Sequence, residues 1–366
     1  MKKIFLPLLV LAVFVSALIA LTSCNEIDDL KFELNEDGTG YVLKSSTTTS
    51  AELVIPDTFA GKPVVAIADY AFESPMSSLK FVTIPNSVKS IGKSAFSSCL
   101  DLLSVTIGSG VEDIAENAFF GCKKLVEVIN KSTLEITAGS EEYGYIGYYA
   151  YAVHTAESKI VKNEGFYFAT LGGENYLLGH ESVLNYNGSE NKELVFPESY
   201  QGENYKIYDY AFVNCTKIAK ITLSDGITAI GDKAFGSCYY LTDLVIPDSV
   251  KSIGESAFSG CVGLVTVKVG NSVEVISERA FYDCTKLESI VLSKSITAVE
   301  DSAFDECDAF ETVYYCGDES DWENIDMSMW GLGKLKDASL YYYSEKAPEA
   351  EGDFWHYDKD GKVVLW

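Results

Sequence analysis

Positive charge is scarce in this chain. Its 366 residues hold 28 lysines and arginines against 54 aspartates and glutamates, a formal net charge of −26. Phosphate binding needs a basic surplus, so a nucleic-acid partner is excluded and anionic lipid surfaces are disfavoured as direct targets. Histidine is scarcer still, present only as His154, His180 and His356. None sits in a His-Glu-x-x-His zinc motif, and neither a Gly-x-Ser-x-Gly elbow nor a phosphate loop occurs. No catalytic residue, cofactor or metal site is therefore assigned, and the three histidines read as surface or satisfied loop residues. Asp358-Lys-Asp360-Gly361 and Glu36-Asp37-Gly38 begin like calcium loops but lack the later ligands, which leaves them as turns. Apolar residues are not lacking: at 47 % hydrophobic and 22 % charged, the chain can bury a core.

One long apolar run is present, from Ile4 to Leu21 behind Met1-Lys2-Lys3. A basic start, an apolar stretch and small residues read as a secretory signal over residues 1–23. The run lies at the lower edge of what spans a bilayer, so a retained membrane helix is the competing reading. Leu21-Thr22-Ser23-Cys24 resembles the bacterial lipobox, with Thr22 a departure from the usual small residue. That resemblance implies cleavage before Cys24, lipid on its sulfur, a tether at 24–29, and a mature chain outside the cytoplasm. The membrane is then contacted only through the lipid.

The rest of the chain is periodic. Ala-Phe recurs at Phe72, Phe96, Phe119, Phe212, Phe235, Phe258, Phe281 and Phe304. The step is 23 residues, apart from a first step of 24 and one long gap. A variant of Leu-x-x-Val-x-Ile-Pro-x-Ser-Val-x-x-Ile-Gly precedes each, most clearly from Leu241 to Gly254. Leu244 and Ile246 alternate with Asp243 and Val245 as in a short strand, which Pro247-Asp248-Ser249 ends. Val250, Ile253, Ala257, Phe258 and Cys261 follow at steps of three and four, as in short helical turns returning to the core. No single repeat can bury these groups, so the copies must stack.

Nine cysteines suggest a disulfide scaffold or a metal protein. Seven of them, at 99, 122, 215, 238, 261, 284 and 307, stand three residues after a repeat Phe. A linear ladder offers zinc no converging ligands, and parallel Cβ vectors suit a disulfide poorly. A small buried thiol in the same slot of each coil fits best. Cys316 lies outside the register and has no assigned partner.

Period and pattern predict a repeat solenoid of the leucine-rich-repeat type, mostly β with short helical turns. Ile246-Pro-Asp-Ser-Val-Lys-Ser-Ile-Gly-Glu-Ser-Ala-Phe-Ser-Gly-Cys261 resembles the repeat of BspA-like bacterial surface proteins almost residue for residue. The likeness extends over residues 30–343. Phe32 to Leu43 echoes Phe166 to Leu178, and Leu53-Val-Ile-Pro56 echoes Leu194-Val-Phe-Pro197. Each pair of echoes reads as a hairpin opening a stack. The expected order is a first stack at 30–133, a Tyr-rich bridge at 134–165 and a second stack at 166–343. A linker at 344–353 and a C-terminal hairpin at 354–366 complete it. The bridge tyrosines suit either a cap or a recognition surface.

Alternation points two residues per coil outward: Phe81 and Thr83, Lys220 and Thr222, Asp243 and Val245, Thr266 and Lys268, Ser289 and Val291, Thr312 and Tyr314. These are the candidate partner-binding residues. The family resemblance implies a non-catalytic cell-surface protein that adheres to an extracellular protein of a host or neighbouring cell. An envelope scaffold is one alternative. A glycan-binding module using the tyrosines with Trp355 and Trp366 is another.

Overall fold

The computed structural model describes residues 29–72, 78–181, 192–348 and 352–366. Cys24 and the signal segment lie outside them. The chain divides into two units, one ending at Ser158 and the other starting at Lys159. Each has an apolar core of its own.

Both units are solenoids of parallel strands, one strand per coil on each of two ladders. In the second unit Asp243–Val245, Thr266–Lys268, Ser289–Leu292 and Thr312–Tyr315 pair in parallel. Leu244, Val267, Ile290 and Val313 stand opposite one another in register and are buried. The first unit repeats this with Glu52–Val54, Phe81–Ile84, Ser104–Ile107 and Glu127–Asn130. The sequence period sets this register: residues one period apart must stack for every coil to bury its apolar set. A second, shorter ladder follows the Pro turn, as with Ile227–Ile230 beside Ser252–Ile253.

No helix forms where the chain returns to the core. The residues before Ala-Phe and before Cys both have positive φ, as at Ser256 (54°) and Gly260 (71°), or Arg279 (53°) and Asp283 (55°). Left-handed residues so close together interrupt a helix. The expected helical turns are instead tight turns, closed by bonds such as Cys261 N–H to Phe258 O at 3.2 Å. These turns aim Ala257, Phe258 and Cys261 inward, all fully buried.

The phenyl rings form a column. Phe212, Phe235, Phe258, Phe281 and Phe304 lie 5.2, 5.3, 5.5 and 5.5 Å apart, stacked nearly parallel to their neighbours. Cys122, Cys238, Cys261, Cys284 and Cys307 each donate an S–H to the Phe carbonyl of the preceding coil at 3.1–3.4 Å. All seven ladder cysteines are buried free thiols. A thiol suits the slot because it is small and apolar yet supplies one weak donor. Asp232 accepts the Glu255 N–H and Asp248 the Asn271 N–H, both at 2.8 Å, so acidic residues also join coil to coil. Gly254 has no room for a side chain: a Cβ would lie 2.4 Å from Asp232 Oδ1 and 2.5 Å from its backbone nitrogen.

Each unit opens on an antiparallel hairpin, Leu30–Leu34 with Tyr41–Ser46 and Phe166–Leu171 with Glu174–His180. The ends differ. Residues 134–151 close the first core with Ile136, Ile146 and Ala150, and Ala152–His154 adds one more parallel strand. The second core is closed by Ile325, Leu332 and Leu335, beside the short helices Glu319–Glu323 and Gly333–Asp337. Ser339–Tyr343 then extends its strand ladder, and Phe354–Tyr357 with Val363–Leu365 forms a hairpin attached to it. Among the described residues no helix is long and apolar enough to cross a membrane.

Candidate docking face

The outward positions of the second unit fall into two rows. Asp243, Thr266, Ser289 and Thr312 make one, and Val245, Lys268, Val291 and Tyr314 the other. Lys220 and Thr222 pair in register with Glu193 and Val195 on the neighbouring strands. Lys220, Thr222, Asp243, Val245, Thr266 and Lys268 are exposed, whereas Ser289, Thr312 and Tyr314 are half-buried. The hydroxyl of Thr266 donates to Asp243 at 2.9 Å, and Lys220 meets Glu193 at 2.6 Å.

Val291 departs from the expectation. It is only 7 % exposed, against 60 % for Val245 in the same row. The C-terminal hairpin supplies the cover. The Trp355 ring stands 5.8 Å from that of Tyr314, and the Tyr357 ring lies 4.6 Å beneath the Lys268 ammonium. These contacts fall on both sides of Val291 in its row. Trp355 is itself fully buried, which removes it as an exposed sugar platform. Trp366 remains half exposed, stacked on His356 at 3.8 Å. Cys316 lies at this end too, and burial pushes its thiol up to about 11.

In the first unit Phe81 and Thr83 are half-buried, and the next coils bury polar groups at the outward position in register with Phe81. Ser104 and Glu127 are buried. Glu127 lies 2.9 Å from His154 Nε2 and accepts from Ser104 and Ser158 at 3.0 and 2.6 Å. Both hydroxyls donate to the carboxylate rather than to the imidazole, so this group has the form of a structural network. His154 is thereby a satisfied residue on one side of its ring.

Alternation would also have found Val54 and Val195, which are 65 % and 62 % exposed at the strand position of Val245. Trp330, 85 % exposed, carries no periodic signal because it lies in the irregular last coil. A groove of about 530 Å³ crosses the second ladder, bordered by Asp209, Asp232, Glu255 and Glu278. Burial and the neighbouring Asp232 raise the Asp209 carboxyl, while the Asp232 N–H it accepts acts against them. Among the described residues no three acidic, cysteine or histidine side chains converge to hold a metal ion.

Two parallel ladders wound at one sequence period define a leucine-rich-repeat solenoid. The model of the BspA type leucine rich repeat region matches residues 51–156 and 191–326, in six copies. The chain belongs to that family. Among solved structures it is similar to a leucine-rich repeat protein from Eubacterium ventriosum, at 20 % identity and a TM-score of 0.41, covering 79 % of this chain and 83 % of that one. A leucine rich cell surface protein from Faecalibacterium prausnitzii matches at 20 % identity and 0.37, covering 81 % and 96 %. The pneumococcal vaccine antigen PcpA matches at 17 % identity and 0.35, covering 87 % and 98 %. No functionally curated relative matches the chain.

Proposed function

We propose that this chain is a lipid-anchored cell-surface protein that docks an extracellular protein on the outer strand face of its second unit, without catalysis. The family's use as an interaction module supports the class, and Leu21-Thr22-Ser23-Cys24 supports the anchor. One observation carries the choice of face: Val195 and Val245 stand more than half exposed on a rigid ladder, flanked by Thr222 and Thr266. Unsatisfied apolar area on a scaffold that needs no rearrangement is what a protein partner buries at low entropic cost.

The mature chain, probed against extracellular-protein and glycan arrays, is expected to bind proteins. The triple variant Thr222→Glu, Val245→Glu, Thr266→Glu should lose that binding with its melting temperature unchanged. Binding to glycans alone, or protein binding untouched by the triple variant, overturns the reading. Cell fractionation of Cys24→Ala tests the anchor, whose loss should release the protein from the membrane.

A further inference from the structure

The C-terminal hairpin is weakly built and strongly seated. Its ladder to the rest of the sheet consists of two residue pairs, Tyr342 with Phe354 and Tyr343 with Trp355. Its inner and outer strands share three more, Trp355 with Leu365, His356 with Val364 and Tyr357 with Val363. A two-stranded hairpin of this size has little stability of its own. Its outer strand is largely solvated, with Val364, Leu365 and Trp366 39 %, 47 % and 47 % exposed.

Trp355 is what holds it. The indole is fully buried, and its Nε1–H donates to the Tyr315 carbonyl oxygen at 3.1 Å. Its ring meets Tyr343 at 5.1 Å and Tyr314 at 5.8 Å, edge to face. Lys268 lies over Tyr357 on the far side of the covered patch. The solenoid thus offers a seat for one indole, with a main-chain acceptor for its N–H and aromatic walls. A ring of this kind with its N–H satisfied is the typical energetic centre of a protein interface.

We propose that this hairpin is an internal stand-in for the partner of the docking face, and that its seat receives an extended segment of a partner protein carrying a tryptophan. This rests on the reading of the outer face as the docking surface and extends it. When the hairpin lifts, Val291 and Tyr314 join the exposed Val245 and Thr266 in one continuous face. Lifting requires only local opening, because Trp355 belongs to neither solenoid core.

The probe is a synthetic peptide of residues 352–366, offered to the full chain. Trp355→Ala should free the seat, so that this variant binds the peptide at least about tenfold more tightly than the wild type. The same peptide with Trp355→Ala should not bind, and Tyr314→Ala added to the chain should abolish binding. Equal peptide binding by the wild type and the variant overturns the proposal. Amide exchange of the wild type gives a second measurement that needs no variant. The Tyr342 and Ser344 amides, which donate to Asp353 O and Trp355 O, should exchange faster than those of Thr312–Tyr315. Exchange of all of them at one common, global rate overturns it as well. Neither measurement needs an array partner, so failure of the docking reading on the arrays stays separate from failure here.

Discussion

The two units open with the same hairpin and wind with the same coil, yet they close differently. The first spends residues 134–151 on a degenerate coil that buries Ile136 and Ile146 against the last regular coil's core. The second is closed by two short helices and then continues as a strand and a hairpin that bends over its outer face. The interior of a solenoid is dictated by the need of each coil to cover the next, which repetition solves once for all copies. An end has no next coil, so each end is solved by residues that do not repeat.

The sharpest difference is alkaline. The first unit carries two ladder thiols, Cys99 and Cys122, and the second carries five. Burial raises Cys122, Cys238 and Cys284 well above the ordinary 9.0. A raised thiol leaves stability intact below the unfolded value and removes it as pH climbs above 9.0 toward the folded one. Each such thiol costs up to about 1.4 kcal/mol per pH unit in that window. Cys238 and Cys284 lie in the second unit and Cys122 in the first. Calorimetry from pH 8 to pH 10 should therefore show the second unit losing more of its melting temperature, and Cys238→Ser with Cys284→Ser should reduce the difference. Melting that is flat from pH 8 to pH 10 would show the thiols to be accessible.

The phenyl column is the test at neutral pH. Phe258→Ala removes a ring stacked on both sides and should cost about 3–5 kcal/mol, read as a lower denaturation midpoint in the second unit alone. A transition lowered in both units would mean that they do not fold independently. Gly254→Ala should follow at about 2 kcal/mol, because its Cβ would meet backbone. Gly202→Ala should cost only about 1 kcal/mol, since its φ of 79° is strained but the space beside it is open. The smallest effect is Thr266→Glu on the docking face, within about 0.5 kcal/mol in stability while its binding falls.

Much of this was legible in the sequence. Ala-Phe at a fixed step named the buried column, and alternation named the outward pairs, because both follow from local geometry copied coil by coil. The tight turns were not, since steps of three and four are shared by a helix and by a turn bounded by left-handed residues such as Ser256 and Gly260. Val291 was misplaced for a different reason. Its own strand does point it outward, and what buries it is a hairpin more than 60 residues later in the chain.

The sequence by itself determined the solenoid, its register and its core, since one period fixes which side chains must stack. It also determined the surplus of acid over base, a net charge of −26. Only the tertiary structure decided how each end is closed and how much of the outer face remains open. Those outcomes depend on contacts between segments with no shared period, such as Trp355 against Tyr315 and Tyr357 against Lys268. Periodicity is blind to such contacts, because each of them occurs once.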